Sequence, residues 1–233
     1  MTRLNAGETA RTHSTTNRTT TELAEFVGIL LGDGCIGIYK CRKKNGEHKQ
    51  YRVKITLDSR NEEYAEYVAG LFSAVLGFKP LIRKRRGENT CDILTFRRDA
   101  VFFLLNEVHL KLSPKWNRAK IPRTFMNRAF GARVLRGYFD TDGATIIYNN
   151  NGTVYPRLEM KIMPSPMQKQ LQTLLKKLGF KFTARRLEKG KLLVRLNGKQ
   201  QVERWFSIVG TKNPVHSKKN LRFCLGNRVN PSV

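Results

Sequence analysis

The sequence is poor in cysteine, in long apolar runs and in acidic residues. Its four cysteines, Cys35, Cys41, Cys91 and Cys224, form no CxxC pair, so the sequence does not indicate a zinc site. Their scattered positions are typical of a reduced, intracellular protein. No apolar stretch is long enough to span a membrane, and no basic amphipathic helix stands out, so we expect no membrane partner.

The shortage of acidic residues leaves a large positive charge. The 233 residues include 44 Lys plus Arg against 18 Asp plus Glu, which gives a formal net charge of +26. Such an excess indicates a polyanionic partner, most often nucleic acid. A basic ribosomal protein or a protein from a high-salt setting is the alternative. Because 40% of the residues are apolar, the chain can form a core as one domain or two small fused ones.

The N-terminal segment, residues 1–21, is rich in Thr, Asn and Arg and has no apolar stripe. We therefore expect a disordered basic arm there. An organelle transit peptide shares this composition but requires an amphipathic face, so the cytoplasm or nucleoid is favoured over an organelle.

Two stretches share the pattern apolar-x-Gly-x-x-x-x-Asp-Gly. They run from Phe26 to Gly34 and from Leu135 to Gly143. Each pattern predicts the last turns of a helix, ended by its final glycine in the left-handed conformation. A hairpin turn at Asp-Gly is the alternative for one copy alone, but the repetition disfavours it.

Small residues predict how the two helices meet. Gly28 and Gly32 are four positions apart, so they share one helix face and let another backbone come close. Gly137 and Thr141 repeat the spacing in the second stretch. We expect the two helices to cross along these faces.

That crossing would bring Asp33 and Asp142 side by side. A helix C-terminus carries partial negative charge and disfavours a carboxylate, and neighbouring carboxylates raise each other's pKa. A divalent cation relieves both effects, and oxygen ligands suit Mg²⁺, with Mn²⁺ as a substitute. We therefore predict a metal site at these acids, with Gly32 and Thr141 as further candidate ligands.

At these residues the chain resembles a two-motif, single-chain LAGLIDADG homing endonuclease of the intron-encoded type. The resemblance covers roughly residues 22–220. The first copy departs from the motif at its sixth position, Leu31, where the second has Asp140. In the family this position is not a metal ligand, so the departure leaves the predicted site intact.

Other segments of the chain also repeat. Leu76-Gly77-Phe78-Lys79 recurs as Leu178-Gly179-Phe180-Lys181, and Ser113-Pro114 corresponds to Asn213-Pro214. Each half reads as helix, two strands, helix, two strands, helix. We expect an α+β fold, a pseudo-two-fold pair of αββαββα units that form a saddle of antiparallel sheets with helices on the outer face. The predicted boundaries are a first half over 22–121, a second half over 122–220 and a C-terminal tail over 221–233.

The resemblance implies a site-specific, monomeric endonuclease that makes a Mg²⁺-dependent double-strand cut in DNA, with one motif aspartate for each strand. It also implies short 3′ overhangs. The alternatives are an RNA-binding maturase that assists intron splicing and a non-cleaving, sequence-specific DNA-binding protein. Because the chain opens with Met1 and lacks a nucleophile-led splice junction, we expect a free-standing protein rather than part of an intein.

Basic residues complete the predicted sites. The resemblance implies one basic residue per half near the scissile phosphates, and alignment on the two prolines favours Lys120 or Lys115 in the first half and Lys218 in the second. His216, close to Lys218, is a candidate proton shuttle or phosphate contact.

Cations that alternate along the predicted strands or cluster at their turns indicate a surface that contacts DNA. A solvated strand face would also alternate, but it is usually mixed in charge, and Glu159 is almost the only acid here. The candidate DNA contacts are Arg52, Lys54, Arg83, Lys84, Arg85, Arg86, Arg97, Arg157, Lys161, Arg185, Arg186 and Arg195.

Overall fold

The computed structural model describes residues 20–43, 46–150 and 153–226. Within these ranges the chain forms two units with the same order of elements. Nearly all of the predicted N-terminal arm and the end of the predicted C-terminal tail lie outside the described residues, and so do residues 44–45 and 151–152. The predicted boundary between the halves, at 121/122, stays a prediction.

The first unit follows the predicted αββαββα order. Its elements are α1 (Thr21–Leu31), β1 (Gly34–Lys43), β2 (Gly46–Asp58), α2 (Glu62–Leu76), β3 (Leu81–Lys84), β4 (Thr90–Thr95) and α3 (Arg98–Phe102), which continues as a wider turn over Phe103–Glu107. The strands form one antiparallel sheet in the order β1-β2-β4-β3. The α1 N-cap is Thr20, whose hydroxyl accepts from the Leu23 amide at 3.1 Å and so satisfies one of the free N–H groups at the start of the helix.

The second unit repeats this order. Its elements are α4 (Arg128–Asp142), β5 (Gly143–Asn150), β6 (Thr153–Ile162), α5 (Met167–Lys177), β7 (Thr183–Arg186), β8 (Leu192–Asn197) and α6 (Lys199–Ile208). Its antiparallel sheet has the order β5-β6-β8-β7. The α+β fold of two αββαββα units is confirmed.

A further helix, α7 (Pro214–Gly226), follows the second unit. Its first seven residues fall in the predicted second half and its last six in the predicted tail. Proline suits the first turn of a helix because its missing N–H has no partner there. None of the described helices has the length and apolar character needed to cross a membrane.

The core lies between the helices and one face of each sheet. On β2, Val53, Ile55 and Leu57 are at most 6% exposed, because alternate residues of a strand point to the same face. On β6, Leu158 and Met160 are fully buried in the same way. The opposite face, here called the open face, carries residues 52, 54 and 56 of β2, residues 157, 159 and 161 of β6, and their neighbours in β4 and β8.

The burial expected for the segment after β4 needs a correction. We expected Phe102, Phe103 and Leu105 to be buried, but all three are half-buried. Val101 and Leu104 are the residues that enter the core. The segment changes from α-helix to a wider turn at Phe103, which shifts the face presented to the sheet.

Candidate functional site

The two motif helices, α1 and α4, cross along their glycines. A Cβ atom on Gly28 would come closer than 3.0 Å to the Val134 carbonyl oxygen, and one on Gly137 would do the same at the Glu25 carbonyl oxygen. Only glycine leaves room for this approach. The predicted crossing is present, and the hairpin alternative at Asp33-Gly34 is excluded because α1 extends to Leu31.

The glycine after each acid is needed for a different reason from the one predicted. Gly34 is not among the glycines with positive φ, and Gly143 is extended, with φ −93° and ψ 166°. Gly143 begins β5 directly after α4, and Gly34 begins β1 with only two residues between it and the end of α1. A Cβ atom on Gly34 would therefore meet the Leu30 backbone at 2.5 Å. The left-handed prediction is wrong, and close packing requires the glycine instead.

The two carboxylates lie together below the crossing. Burial among protein atoms, and then repulsion from Asp142, raise the pKa of Asp33 to about 7. Burial also raises the pKa of Asp142, against the effects of Lys115 and a hydrogen bond from Tyr138. Both acids are nevertheless exposed on one side, so solvent moderates the repulsion and a ligand can reach both.

A lysine, Lys115, lies beside the acid pair. Its Nζ donates to the carbonyl oxygen of Leu31 at 2.9 Å and also contacts those of Leu30 and Gly32. An ammonium group at this end of α1 offsets the negative end of the helix dipole. Burial lowers the pKa of Lys115, whereas both acids act to raise it.

The other two candidate lysines, Lys120 and Lys218, are exposed. Lys120 lines a cleft together with Lys115 and Lys111, and Lys218 is exposed on α7. Among the described residues, Lys115 is the lysine that lowers the pKa of the acids. The catalytic assignments of Lys120 and Lys218 stay predictions.

In the second half a side-chain amide binds the end of the motif helix, as the lysine does in the first half. Asn213 Nδ2 donates to the carbonyl oxygen of Asp140 near the end of α4, at 2.8 Å. The Asp140 carboxylate accepts from the Thr211 hydroxyl and from the Lys212 amide. Burial raises the pKa of Asp140 to about 7. This sixth motif position therefore anchors the chain that follows α6.

The donor set fits a cation that brings further ligands. No cluster of three or more His, Cys, Asp or Glu suited to a metal occurs among residues 20–43, 46–150 and 153–226. A cation at Asp33 and Asp142 would therefore complete its shell with main-chain oxygens, water or phosphate. The Gly32 carbonyl already contacts Lys115, and the Thr141 hydroxyl donates to the Tyr138 carbonyl at 3.0 Å. Both ligands stay predictions.

The prediction that His216 is a proton shuttle or a phosphate contact is wrong. His216 is 6% exposed, its ring lies 4.6 Å from that of Phe139, and its Nδ1 is 3.2 Å from the Thr145 hydroxyl. Burial lowers the pKa of His216 to about 4. It is a neutral core residue, because α7 turns its side chain inward against β5.

The predicted DNA contacts separate into different environments. Arg52 lies on the open face, where its guanidinium stacks on Tyr39. Lys84 instead pairs with Glu62 of α2 at 2.6 Å. The residues most clearly on the open face by register are Arg52, Lys54, Arg83, Arg157, Lys161, Arg185 and Arg195.

Sequence reasoning missed a second acid on this face. Asp92 is 7% exposed and accepts from the Thr56 hydroxyl at 2.7 Å and from Arg85. Lys54 lies 3.6 Å away. The alternation along β2 predicted which face carries Lys54. The register between β2 and β4 could not be predicted from sequence, so Asp92 was not placed on the same face.

Comparison with known proteins gives a family match. The model of the LAGLIDADG DNA endonuclease family matches residues 25–202. Among curated relatives, a DNA polymerase of Thermococcus kodakarensis is 26% identical over 126 residues, which is 52% of this chain and 7% of that protein. A DNA polymerase of Methanocaldococcus jannaschii is 24% identical over 172 residues, 69% of this chain and 9% of that protein. The chain thus spans less than a tenth of either relative.

Solved structures share the fold. A variant of the homing endonuclease I-DmoI has a TM-score of 0.57 at 18% identity, covering 81% of this chain and 95% of that one. The I-LtrWI LAGLIDADG homing endonuclease bound to target DNA has a TM-score of 0.61 at 12% identity, covering 90% and 92%. The meganuclease I-SmaMI bound to uncleavable DNA scores 0.61 at 12% identity, covering 89% and 91%. At these identities the likeness shows the fold alone.

Proposed function

The chain belongs to the LAGLIDADG DNA endonuclease family, and we propose that it is a site-specific endonuclease that cuts both strands of a long DNA target. The observation that carries the proposal is the α1–α4 crossing, which brings Asp33 and Asp142 to one place beside Lys115. Each acid would serve one strand, and the family resemblance implies short 3′ overhangs.

We propose Mg²⁺ as the cofactor, with Mn²⁺ as a substitute, held by Asp33 and Asp142. A hard cation prefers oxygen ligands, and it relieves the repulsion that contributes to the raised pKa of Asp33. Bound there, it would supply an activated water and stabilise the leaving oxygen of a phosphodiester. The neighbour I-DmoI has been solved in complex with DNA and Mn and with DNA and Ca.

The protein's own groups set the charge at this place. Lys115 binds the last carbonyls of α1, so the negative helix end does not add to the two acids. It lowers the pKa of both Asp33 and Asp142, which favours the ionised forms that bind a cation. With its donors directed at carbonyls, Lys115 is a positioning residue in this proposal.

The open faces are the proposed DNA contacts. A twisted antiparallel sheet can enter a major groove, where arginine and lysine reach base edges and phosphates. The net charge of +26 supports a polyanionic partner. One chain contains both acids and both sheets, so a monomer is sufficient for a double-strand cut.

A maturase that binds intron RNA remains the second candidate, since the basic open faces also suit RNA. The acid pair favours the endonuclease, because two carboxylates repel phosphates and give no advantage to a pure binder. We also propose an intracellular location, since Cys35, Cys41 and Cys91 are free thiols as expected in a reducing compartment.

The test is cleavage of a randomised duplex DNA library with Mg²⁺, followed by sequencing of the ends. The proposal expects enrichment of one long sequence, cut with short 3′ overhangs, and no cutting in EDTA. Binding should weaken steeply with salt, with a slope of about −0.9 per neutralised phosphate. No cleavage with any divalent cation, together with tight binding of structured RNA, would favour the maturase instead.

A further inference from the structure

Glu159 lies in the middle of the open face of the second sheet. It pairs in register with Arg195 across β6 and β8, while the flanking Val194 and Leu196 are fully buried on the core side. Glu159 Oε1 accepts from Arg195 Nε at 2.6 Å, and Arg157 Nε lies 3.1 Å from the same oxygen. The carboxylate thus forms a hydrogen bond with Nε of Arg195, whereas Nε of Arg157 lies within ion-pair distance but makes no hydrogen bond with a described residue.

The outer nitrogens of Arg195 are left for another partner. Within the part of the chain that the structure describes, its side chain donates hydrogen bonds through Nε alone. The Arg195 side chain is 34% exposed. The free Nη1–Nη2 edge is the part of a guanidinium whose two donors match the O6 and N7 acceptors of guanine in the major groove.

Arg85 of the first unit shows the opposite arrangement. Its Nε and Nη2 donate to the two oxygens of Asp92 at 3.0 and 3.1 Å, and its Nη1 donates to Glu88 at 3.1 Å. All three nitrogens of this guanidinium are therefore engaged within the protein. Arg85 braces its hairpin, and it offers no free edge to a base.

A carboxylate on a surface that binds DNA repels phosphate, so Glu159 needs another role there. Holding Nε fixes the guanidinium plane and reduces the rotamer freedom that a long side chain would lose on binding. A fork held in one orientation discriminates between bases, whereas a freely rotating cation mostly contacts phosphates.

We propose that Arg195, oriented by Glu159, reads a guanine in the half of the target bound by the second sheet. Arg195 is the specificity-determining residue and Glu159 its positioning residue. This inference rests on the proposed function, because it takes duplex DNA as the ligand of the open faces.

In the test, the wild type, Arg195→Lys, Glu159→Gln and Arg204→Lys each select from a randomised duplex DNA library for binding in EDTA, which prevents cutting. The wild-type selection gives the preferred sequence. Arg195→Lys keeps the charge but loses the fork, so discrimination at one G·C pair should fall about tenfold to a hundredfold. Glu159→Gln should reduce discrimination at the same pair by a smaller factor, with overall affinity unchanged or tighter.

Arg204→Lys is the control, because Arg204 lies on α6 and donates to the Leu178 carbonyl at 2.9 Å, and it should leave every position of the selected sequence unchanged. Melting temperatures of the three variants show whether each still folds, and the surface position of Arg195 makes unfolding unexpected. An Arg195→Lys variant that weakens binding equally for all sequences, or that keeps the wild-type preference, overturns the inference. Loss of base discrimination at one position of the target by Arg195→Lys, with cleavage activity retained, supports the inference. A wild type that selects no sequence overturns the proposed function and this inference together.

Discussion

The two halves of the molecule share a backbone plan but treat the ends of their motif helices differently. At the end of α1 the carbonyls are bound by the Lys115 ammonium group, whereas near the end of α4 the Asp140 carbonyl is bound by the Asn213 side-chain amide. An ammonium group carries a full charge and an amide does not. The acid pair therefore has one described lysine that lowers the pKa of both carboxylates, and that lysine comes from the first half.

The sixth motif position differs as well. Leu31 of the first half is 6% exposed in the core, and Asp140 of the second half is 2% exposed. Asp140 binds the segment after α6 through Thr211 and Lys212. Glycines and motif acids are thus repeated where the two helices must meet, while each half packs its neighbouring segment in its own way.

The largest expected effect tests whether the two acids are equivalent. Asp33→Asn or Asp142→Asn should abolish the double-strand cut, because in each variant one strand loses its proposed cation ligand. Binding to the selected DNA should be similar or tighter, since a negative charge near phosphates is removed. The measurement follows a supercoiled plasmid with the target, in which nicked and linear products separate.

Asp99→Asn is the control for the acid variants, because Asp99 is paired with Arg97 at the start of α3 and belongs to neither motif stretch. Complete linearisation by either motif variant would show that the two carboxylates do not act as a pair.

The second largest effect is expected on removing Lys115, the lysine beside the acid pair. Lys115→Met should lower the cleavage rate by about a hundredfold, since small displacements at catalytic groups have effects of that size. Without the ammonium the pKa of both acids rises further, so activity should partly recover as the pH is raised. Because Lys115 acts on both acids, the cuts of both strands should slow together.

Lys120→Met and Lys218→Met are the comparisons for this variant. A rate loss that is larger in Lys120→Met than in Lys115→Met would support the lysine favoured from sequence. A loss confined to one strand would show that Lys115 serves one acid only.

The glycines of the helix crossing could be predicted from sequence, whereas the lysine beside the acid pair could not. Gly28 and Gly137 carry a local and repeated signal, and their spacing was enough to predict the crossing and the meeting of Asp33 and Asp142. The choice between Lys115 and Lys120 depends on the path of the chain after Pro114, which has no periodic pattern to reveal it.

Other errors have the same origin in contacts between distant segments. His216 was assigned to the surface because it lies in a basic segment, yet it packs on Phe139 from another element. Asp92 was overlooked because its partners lie on β2 and in the hairpin that follows β3. At Gly34 the residue type was informative, but it indicated close packing rather than the backbone angle.

A moderate effect on stability is expected at the crossing. Gly28→Ala places a Cβ atom against the Val134 carbonyl and should lower the free energy of unfolding by about 1–3 kcal/mol. Gly70→Ala in α2 meets no atom within 4 Å and should instead stabilise by about 0.5–1 kcal/mol. Urea unfolding measures both. Equal stability of the two variants would contradict the tight crossing.

The smallest expected effect is on the pH dependence of stability, to which Asp140 contributes and its counterpart Leu31 does not. The pKa of Asp140 is raised to about 7 by burial, so between about pH 4 and 7 the folded protein keeps a proton that the unfolded chain has released. Raising the pH through this window therefore favours unfolding, with a slope of at most about 1.4 kcal/mol per pH unit for one proton. Asp33 acts in the same direction, with its pKa also raised to about 7. His216, with its pKa lowered to about 4, has the opposite effect: below pH 6.5 it makes the protein more stable as the pH is raised.

In Asp140→Asn the free energy of unfolding should fall less steeply with pH, and the slope should differ from that of the wild type by the equivalent of up to one proton. Urea unfolding at several pH values in EDTA gives both slopes, and Asp99→Asn should not flatten the fall, because Arg97 lowers the pKa of that exposed acid. An unchanged slope in Asp140→Asn would mean that the buried anchor of the second half carries no proton, and that the two halves do not differ in their response to pH at this position.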